Sequence, residues 1–115
     1  MKKWEQLQWY VALRLQKWID KYARPTVGSG NGNENGDVLN DTFAVECKLR
    51  NTKNVTIKVD VWNKNKSDIP LNSDKLPFLA LENEDGMKFI VMEADDFFDM
   101  LDNYEENINK LEERN

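Results

Sequence analysis

Asp37, Glu46 and Lys48 are the residues of this 115-residue chain whose types and spacing could do chemistry. Glu46 and Lys48 lie two apart in "TFAVECKL", where Phe43, Val45, Cys47 and Leu49 alternate with Thr42, Ala44, Glu46 and Lys48. Side chains two apart on a strand share a face, so this carboxylate and this ammonium project together. Asp37 opens the short apolar pair Val38–Leu39, and Asn40–Asp41 supplies a two-residue turn. An antiparallel hairpin turning there sets Asp37 across from Glu46 and Lys48. Two carboxylates, a backbone carbonyl and retained waters suit Mg²⁺, with Mn²⁺ able to substitute. Such a cation lowers the pKa of a bound water and polarises a phosphoryl oxygen, while a neighbouring lysine orients the water or steadies developing charge. The plainer alternative for Glu46 and Lys48 is a solvated strand face, with Asp60 or Glu82 as further partners for Lys48. For Asp37 it is a turn-forming residue after Gly36.

The elements that must position these residues begin with a helix over about Lys2–Tyr22. Trp4, Leu7, Val11, Leu15, Trp18 and Tyr22 recur at three- and four-residue steps, and the first Pro is Pro25. That spacing predicts one apolar stripe facing a core, with Glu5 at its flank and Gln8 inside it. Trp4 and Trp18 read as core or as a seam between copies rather than as surfaces for bases, and Cys47 as an inert core thiol. "GSGNGNENGD", Gly28 to Asp37, then interrupts with four Gly and three Asn, which favour turns and left-handed backbone. From Asn54 the text is two-sided: Val55, Ile57, Val59 and Val61 alternate as in a strand, yet Val59 and Trp62 fall at i, i+3 as in a helix. "LPFLALEN" and "MKFIVMEA", divided by "EDG", predict an antiparallel hairpin. From Ala94 to Asn115 the chain predicts an acidic helical segment presenting Phe97, Phe98, Leu101, Tyr104, Ile108 and Leu111. These elements make a single α/β domain over residues 1–115, with a small mixed central sheet flanked by helices.

Composition narrows the chemistry. There is no histidine, which removes imidazole-based triads, imidazole zinc sites and the usual neutral-pH proton shuttle. The lone Cys47 cannot form an internal disulfide, and no N-terminal apolar run resembles a signal peptide or a membrane span, so a cytoplasmic setting is expected. The net charge of −5 is unevenly spread: residues 1–75 carry 13 basic against 9 acidic side chains, residues 76–115 carry 3 against 12. A mildly basic face therefore coexists with an acidic tail, and a phosphate partner responds to the local field.

In this order the residues resemble the PD-(D/E)xK nuclease superfamily, and within it the Holliday-junction resolvases of the archaeal type and their small phage-encoded relatives. The resemblance rests on Glu5 in the first helix, "GSG" at Gly28 to Gly30, "GD" at Gly36 and Asp37, and "ECK" at Glu46 to Lys48. It covers most of residues 1–50, with looser support from Trp62, Lys64 and "LPFLALEN". It implies a restriction-endonuclease-like core, a helix over about Lys58–Ser67, and a Mg²⁺-dependent endonuclease acting on DNA as a homodimer, in a bacterial or phage-infected cell. Asp37 and Glu46 then bind the metal, Lys48 positions the water and Glu5 supplies an outer or second-metal ligand. Arg24, Ser29, Arg50, Lys53, Lys64 and Lys66, with Lys17 and Lys21, are candidates for phosphate contacts, which position DNA without reading its sequence. The acidic tail departs from the basic character common in such resolvases. The alternatives are a single-strand, nicking or restriction-like enzyme of the same superfamily, and a non-catalytic DNA- or protein-binding module.

Overall fold

The computed structural model describes residues 1–27 and 36–113. Helix α1 spans Lys3–Trp18 and buries Leu7, Gln8, Val11, Ala12 and Leu15. The predicted stripe is correct at its centre and too long at its ends. The helix closes at Trp18, where the Ile19 and Asp20 N–H groups both donate to the Leu15 carbonyl (2.8 and 2.9 Å). Trp4, Trp18 and Tyr22 lie largely in solvent, while Gln8 is buried.

Two short strands, β1 (Arg24–Pro25) and β2 (Val38–Leu39), pair antiparallel, with Arg24 opposite Leu39. Strand β3 (Phe43–Leu49) instead pairs in parallel with β4 (Leu76–Glu82), and β4 pairs antiparallel with β5 (Lys88–Val91). The predicted β2–β3 hairpin is thus corrected: β2 finds its partner upstream. The buried Asn40 side chain is the reason. Its Nδ2 donates to the Val38 and Phe43 carbonyls (3.0 and 2.9 Å), and its Oδ1 accepts from the Thr42 and Phe43 N–H groups (2.9 and 2.7 Å). These side-chain bonds take backbone groups that a tight hairpin ladder would pair.

A parallel pair needs a crossover, and the segment after Asn54 supplies it as α2 (Val59–Ser67), the helical one of its two readings. The β4–β5 hairpin forms as predicted, with Gly86 at φ 80° in its turn. Buried Asn83 holds that turn by accepting from the Asp85 and Met87 N–H groups (3.0 and 2.9 Å). Helix α3 (Ala94–Glu113) follows β5. The result is an α/β fold with a small mixed three-stranded sheet, a two-stranded sheet and three helices.

The core lies between α1 and one sheet face, where Leu7, Val11 and Leu15 meet Phe43, Val45, Phe78 and Ala80. The Phe43 and Phe78 rings pack tilted with centroids 4.8 Å apart. Each such side chain contributes about 1.5–3 kcal/mol by leaving water. Alternation on β3 then forces Glu46 and Lys48 to the opposite face, toward α2. Among the described residues no helix is long and apolar enough to cross a membrane.

Candidate active site

Asp37 reaches β3 by a route the hairpin reading did not contain. Gly36 has φ 63°, and a methyl group on its Cα would collide with the Val45 carbonyl oxygen. Only glycine combines that left-handed backbone with so close an approach. The contact lets the Asp37 N–H donate to the Val45 carbonyl (2.7 Å), as part of a parallel bridge between Gly36 and Val45. Thr26 ties the other side: its hydroxyl donates to the Gly36 carbonyl (2.7 Å), and its N–H to the Asp37 carbonyl (3.1 Å). Held at both backbone groups, Asp37 accepts at Oδ2 from the Cys47 N–H (2.8 Å), on the peptide that joins Glu46 to Cys47.

The Asp37 carboxylate is close enough to act on Glu46. Burial first, and the Asp37 carboxylate second, push the Glu46 carboxyl above the ordinary glutamate range; Lys48 offsets part of this, Asp68 adds to it and Lys64 opposes it. A half-buried carboxyl raised by a second carboxylate, beside a lysine, is the pattern that a bound cation relieves. The Cys47 thiol is pushed well up by burial and then by Asp37, so it remains protonated, in keeping with an inert thiol packed against the core. Lys48 makes no ion pair with a described residue, and Glu82 pairs with Lys88 instead (3.2 Å).

Among the described residues no group of three or more His, Cys, Asp or Glu side chains could hold a metal. Asp37 and Glu46 are the carboxylates that could take part in a site here, and water would have to complete it. A hard cation that keeps most of its water suits such a pair. Glu5 is half-buried on α1 and is not among the charged groups that shift Glu46, so nothing in this geometry joins it to the pair.

Helix α2 and its C-cap add Asn65 and Asp68, which the sequence did not single out, to Trp62, which it did. The three follow at i, i+3, i+6 and line the cleft of Glu46 and Gly36. The Asn65 Nδ2 is buried with no hydrogen-bond partner among the described residues. A buried donor left unpaired costs about 1–3 kcal/mol, so this amide calls for an acceptor beyond the described residues. On the other side of Trp62 a cleft of about 370 Å³ is lined by Lys48, Arg50, Thr56, Lys58 and Leu79. Lys58 stands at the N-terminal end of α2, where the helix dipole adds to its positive charge. The helical spacing 62, 65, 68 was the available signal, masked by the competing strand pattern.

The remaining candidate phosphate contacts are scattered. Arg50 joins Lys48 in the cleft, and Lys64 lies near enough to lower the Glu46 carboxyl. Lys66 is engaged with Glu93 (2.9 Å), an exposed pair worth about 1 kcal/mol or less. Lys53 and Arg24 are exposed and line neither cleft. Lys17 and Lys21 sit over the Trp18 and Tyr22 rings (5.0 and 5.1 Å). Ser29, with the "GSG" of the loop, lies outside the described residues. No protein-family model, curated protein or solved structure matches the chain.

Proposed function

We propose that this chain is a Mg²⁺-dependent endonuclease of the PD-(D/E)xK kind, hydrolysing DNA phosphodiesters, with four-way or other branched DNA as substrate. The observation that carries the reading is the seat of Asp37: its carboxylate accepts from the Cys47 N–H (2.8 Å) between Glu46 and Lys48, and raises the Glu46 carboxyl. Further support comes from the small mixed sheet, in which the Glu-x-Lys strand β3 runs parallel to β4 and packs on α1.

Asp37 and Glu46 would hold the cation, with Mn²⁺ able to replace Mg²⁺. A cation there supplies a water of lowered pKa and polarises the phosphoryl oxygen. Lys48 orients the attacking water and balances charge gathering on the phosphate. Arg50 and Lys58, beside Lys48 in the same cleft, engage neighbouring phosphates. The Asn65 amide donates to a water or phosphate oxygen. Two opposed cuts in a four-way junction require two such sites, hence a homodimer. The setting is a reducing cytoplasm, in line with a single protonated thiol.

The test is cleavage of a four-way junction, a nicked duplex and a single strand, each with Mg²⁺ and with EDTA. Glu46→Gln and Lys48→Ala are expected to abolish cleavage and to retain junction binding. Cleavage of nicked or single-stranded DNA in preference to the junction moves the substrate within the class. Undiminished cutting by either variant, or no divalent-dependent cutting of any DNA, refutes the assignment.

A further inference from the structure

The cleft that Lys48 shares with Trp62 runs against the charge of the chain. The sequence carries 21 acidic against 16 basic side chains, yet Lys48, Arg50 and Lys58 line this cleft and no acidic residue does. None of the three makes an ion pair with a described residue. The segment after β3 is fixed by the β4–β5 hairpin: the Arg50 N–H donates to the Glu82 carbonyl (2.8 Å), the Glu84 N–H to the Thr52 carbonyl (3.1 Å), and the Asn83 amide to the Lys53 carbonyl (3.0 Å). This cationic lip is therefore formed before any ligand arrives, which lowers the cost of binding one. The apolar lining comes from α2 and β4, as Val61, half-buried Trp62 and buried Leu79, with Ile57 just before the helix. At about 370 Å³ the cleft falls near the lower end of the range usual for small-ligand sites, about 300–1,000 Å³. A duplex is too thick to enter it. A ligand that satisfies both linings is anionic at one end and flat and apolar at the other.

We propose that this ligand is one unpaired nucleotide of a DNA strand, with its phosphates on Lys48, Arg50 and Lys58 and its base stacked on Trp62. Aromatic side chains beside a cationic track hold single strands without reading their sequence. Shared residues fix where the nucleotide lies. Lys48 acts on the Glu46 carboxyl, and Trp62 lines both this cleft and the one that contains Glu46. A base held here sets its phosphate beside Asp37 and Glu46. In a duplex the base must leave its stack to reach the indole, and that costs least where it is already unpaired. The substrate class is thereby DNA with an unpaired nucleotide at the cut, such as an opened branch point, in preference to continuous duplex. The location beside a cut rests on the nuclease reading; the binding does not.

The test is fluorescence anisotropy of the full chain in EDTA, where no cutting intervenes. The DNAs are a continuous duplex, the same duplex with one unpaired adenine, and the same with an abasic unit in that place, with free dAMP as competitor. The unpaired adenine is expected to bind roughly tenfold tighter than either other duplex, the scale of one base–aromatic stack, and dAMP to compete only weakly. Trp62→Ala is expected to erase that advantage and Trp62→Phe to restore part of it. Arg50→Ala is expected to weaken all three duplexes alike and to lower their salt dependence. Should Trp62→Ala fail to fold, NMR of the unaltered chain decides: the Trp62 ring protons move upfield with the unpaired adenine and stay in place with the abasic duplex if the inference holds. Equal affinity for the three duplexes, an advantage that survives Trp62→Ala, ring protons indifferent to the adenine, or dAMP binding as tightly as the strand overturns it. Trp62-dependent binding without Mg²⁺-dependent cutting of any DNA refutes the nuclease reading and leaves the strand site standing, so the two failures are distinguishable.

Discussion

Substituting alanine for the chain's two described left-handed glycines separates backbone strain from collision at the candidate site. Gly36 and Gly86 have φ of 63° and 80°, so alanine at either meets the left-handed penalty of about 1–2 kcal/mol. At Gly86 the new methyl finds nothing within 4 Å, so the cost ends there. At Gly36 it runs into the Val45 carbonyl, a backbone atom that cannot rotate away. Overpacking adds about 1–3 kcal/mol. Parting the strands also loses the Asp37 N–H bond to Val45, about another 1 kcal/mol. The expected totals are about 1–2 kcal/mol for Gly86→Ala and about 3–6 for Gly36→Ala. With a urea slope of about 1.5 kcal/mol/M, the unfolding midpoint falls by about 1 M for the first and about 2–4 M for the second. Titration calorimetry in the folded baseline supplies the functional half: Gly36→Ala loses Mg²⁺ affinity because Asp37 leaves its seat, and Gly86→Ala keeps it. Equal midpoint shifts, or full Mg²⁺ affinity in Gly36→Ala, would refute the reasoning.

Asn40→Ala is expected to destabilise the chain by about 3 kcal/mol in the same urea assay, because four backbone groups lose their partner in a buried turn; a loss below about 1 kcal/mol would mean that water replaces the amide. Glu46 makes stability depend on pH in a definite sense. Its carboxyl is raised in the fold, so its contribution without metal is full below the ordinary glutamate value and is lost as pH climbs through the raised one. Mg²⁺ needs the ionised form, so adding it reverses this slope and releases a proton on binding. Asp37→Asn removes the second-largest cause of the shift and narrows the pH window; NMR titration of the Glu46 side chain checks this, and an unmoved midpoint would show that the two carboxylates do not interact.

Elements that depend on near neighbours could be read directly. The centre of α1 and the β4–β5 hairpin follow from periodicities that local sterics impose on any chain. The same holds for Glu46 and Lys48, whose shared face is a consequence of strand geometry once Phe43 and Val45 are buried on the other. Helix α1 starts where the sequence predicts but stops short of Tyr22, because an apolar stripe does not state how much sheet lies beneath it. Trp18 continues the pattern of Leu7, Val11 and Leu15 but extends beyond the strands that cover them.

What the sequence determined by itself is the chemical inventory and its order: two carboxylates and a lysine around a strand, no imidazole, one thiol, a basic front and an acidic tail. Tertiary structure alone decided that β2 pairs with β1 and that Trp62, Asn65, Asp68 and Lys58 join the clefts around β3; the helix after Asn54, which periodicity left open, is the one the family resemblance implied. It also decided that Asp37 arrives through Gly36 rather than across a hairpin. The physical reason is one of range. Side-chain direction repeats every two or 3.6 residues and is set by the local backbone, whereas the choice between competing partners depends on which distant surfaces can leave water together.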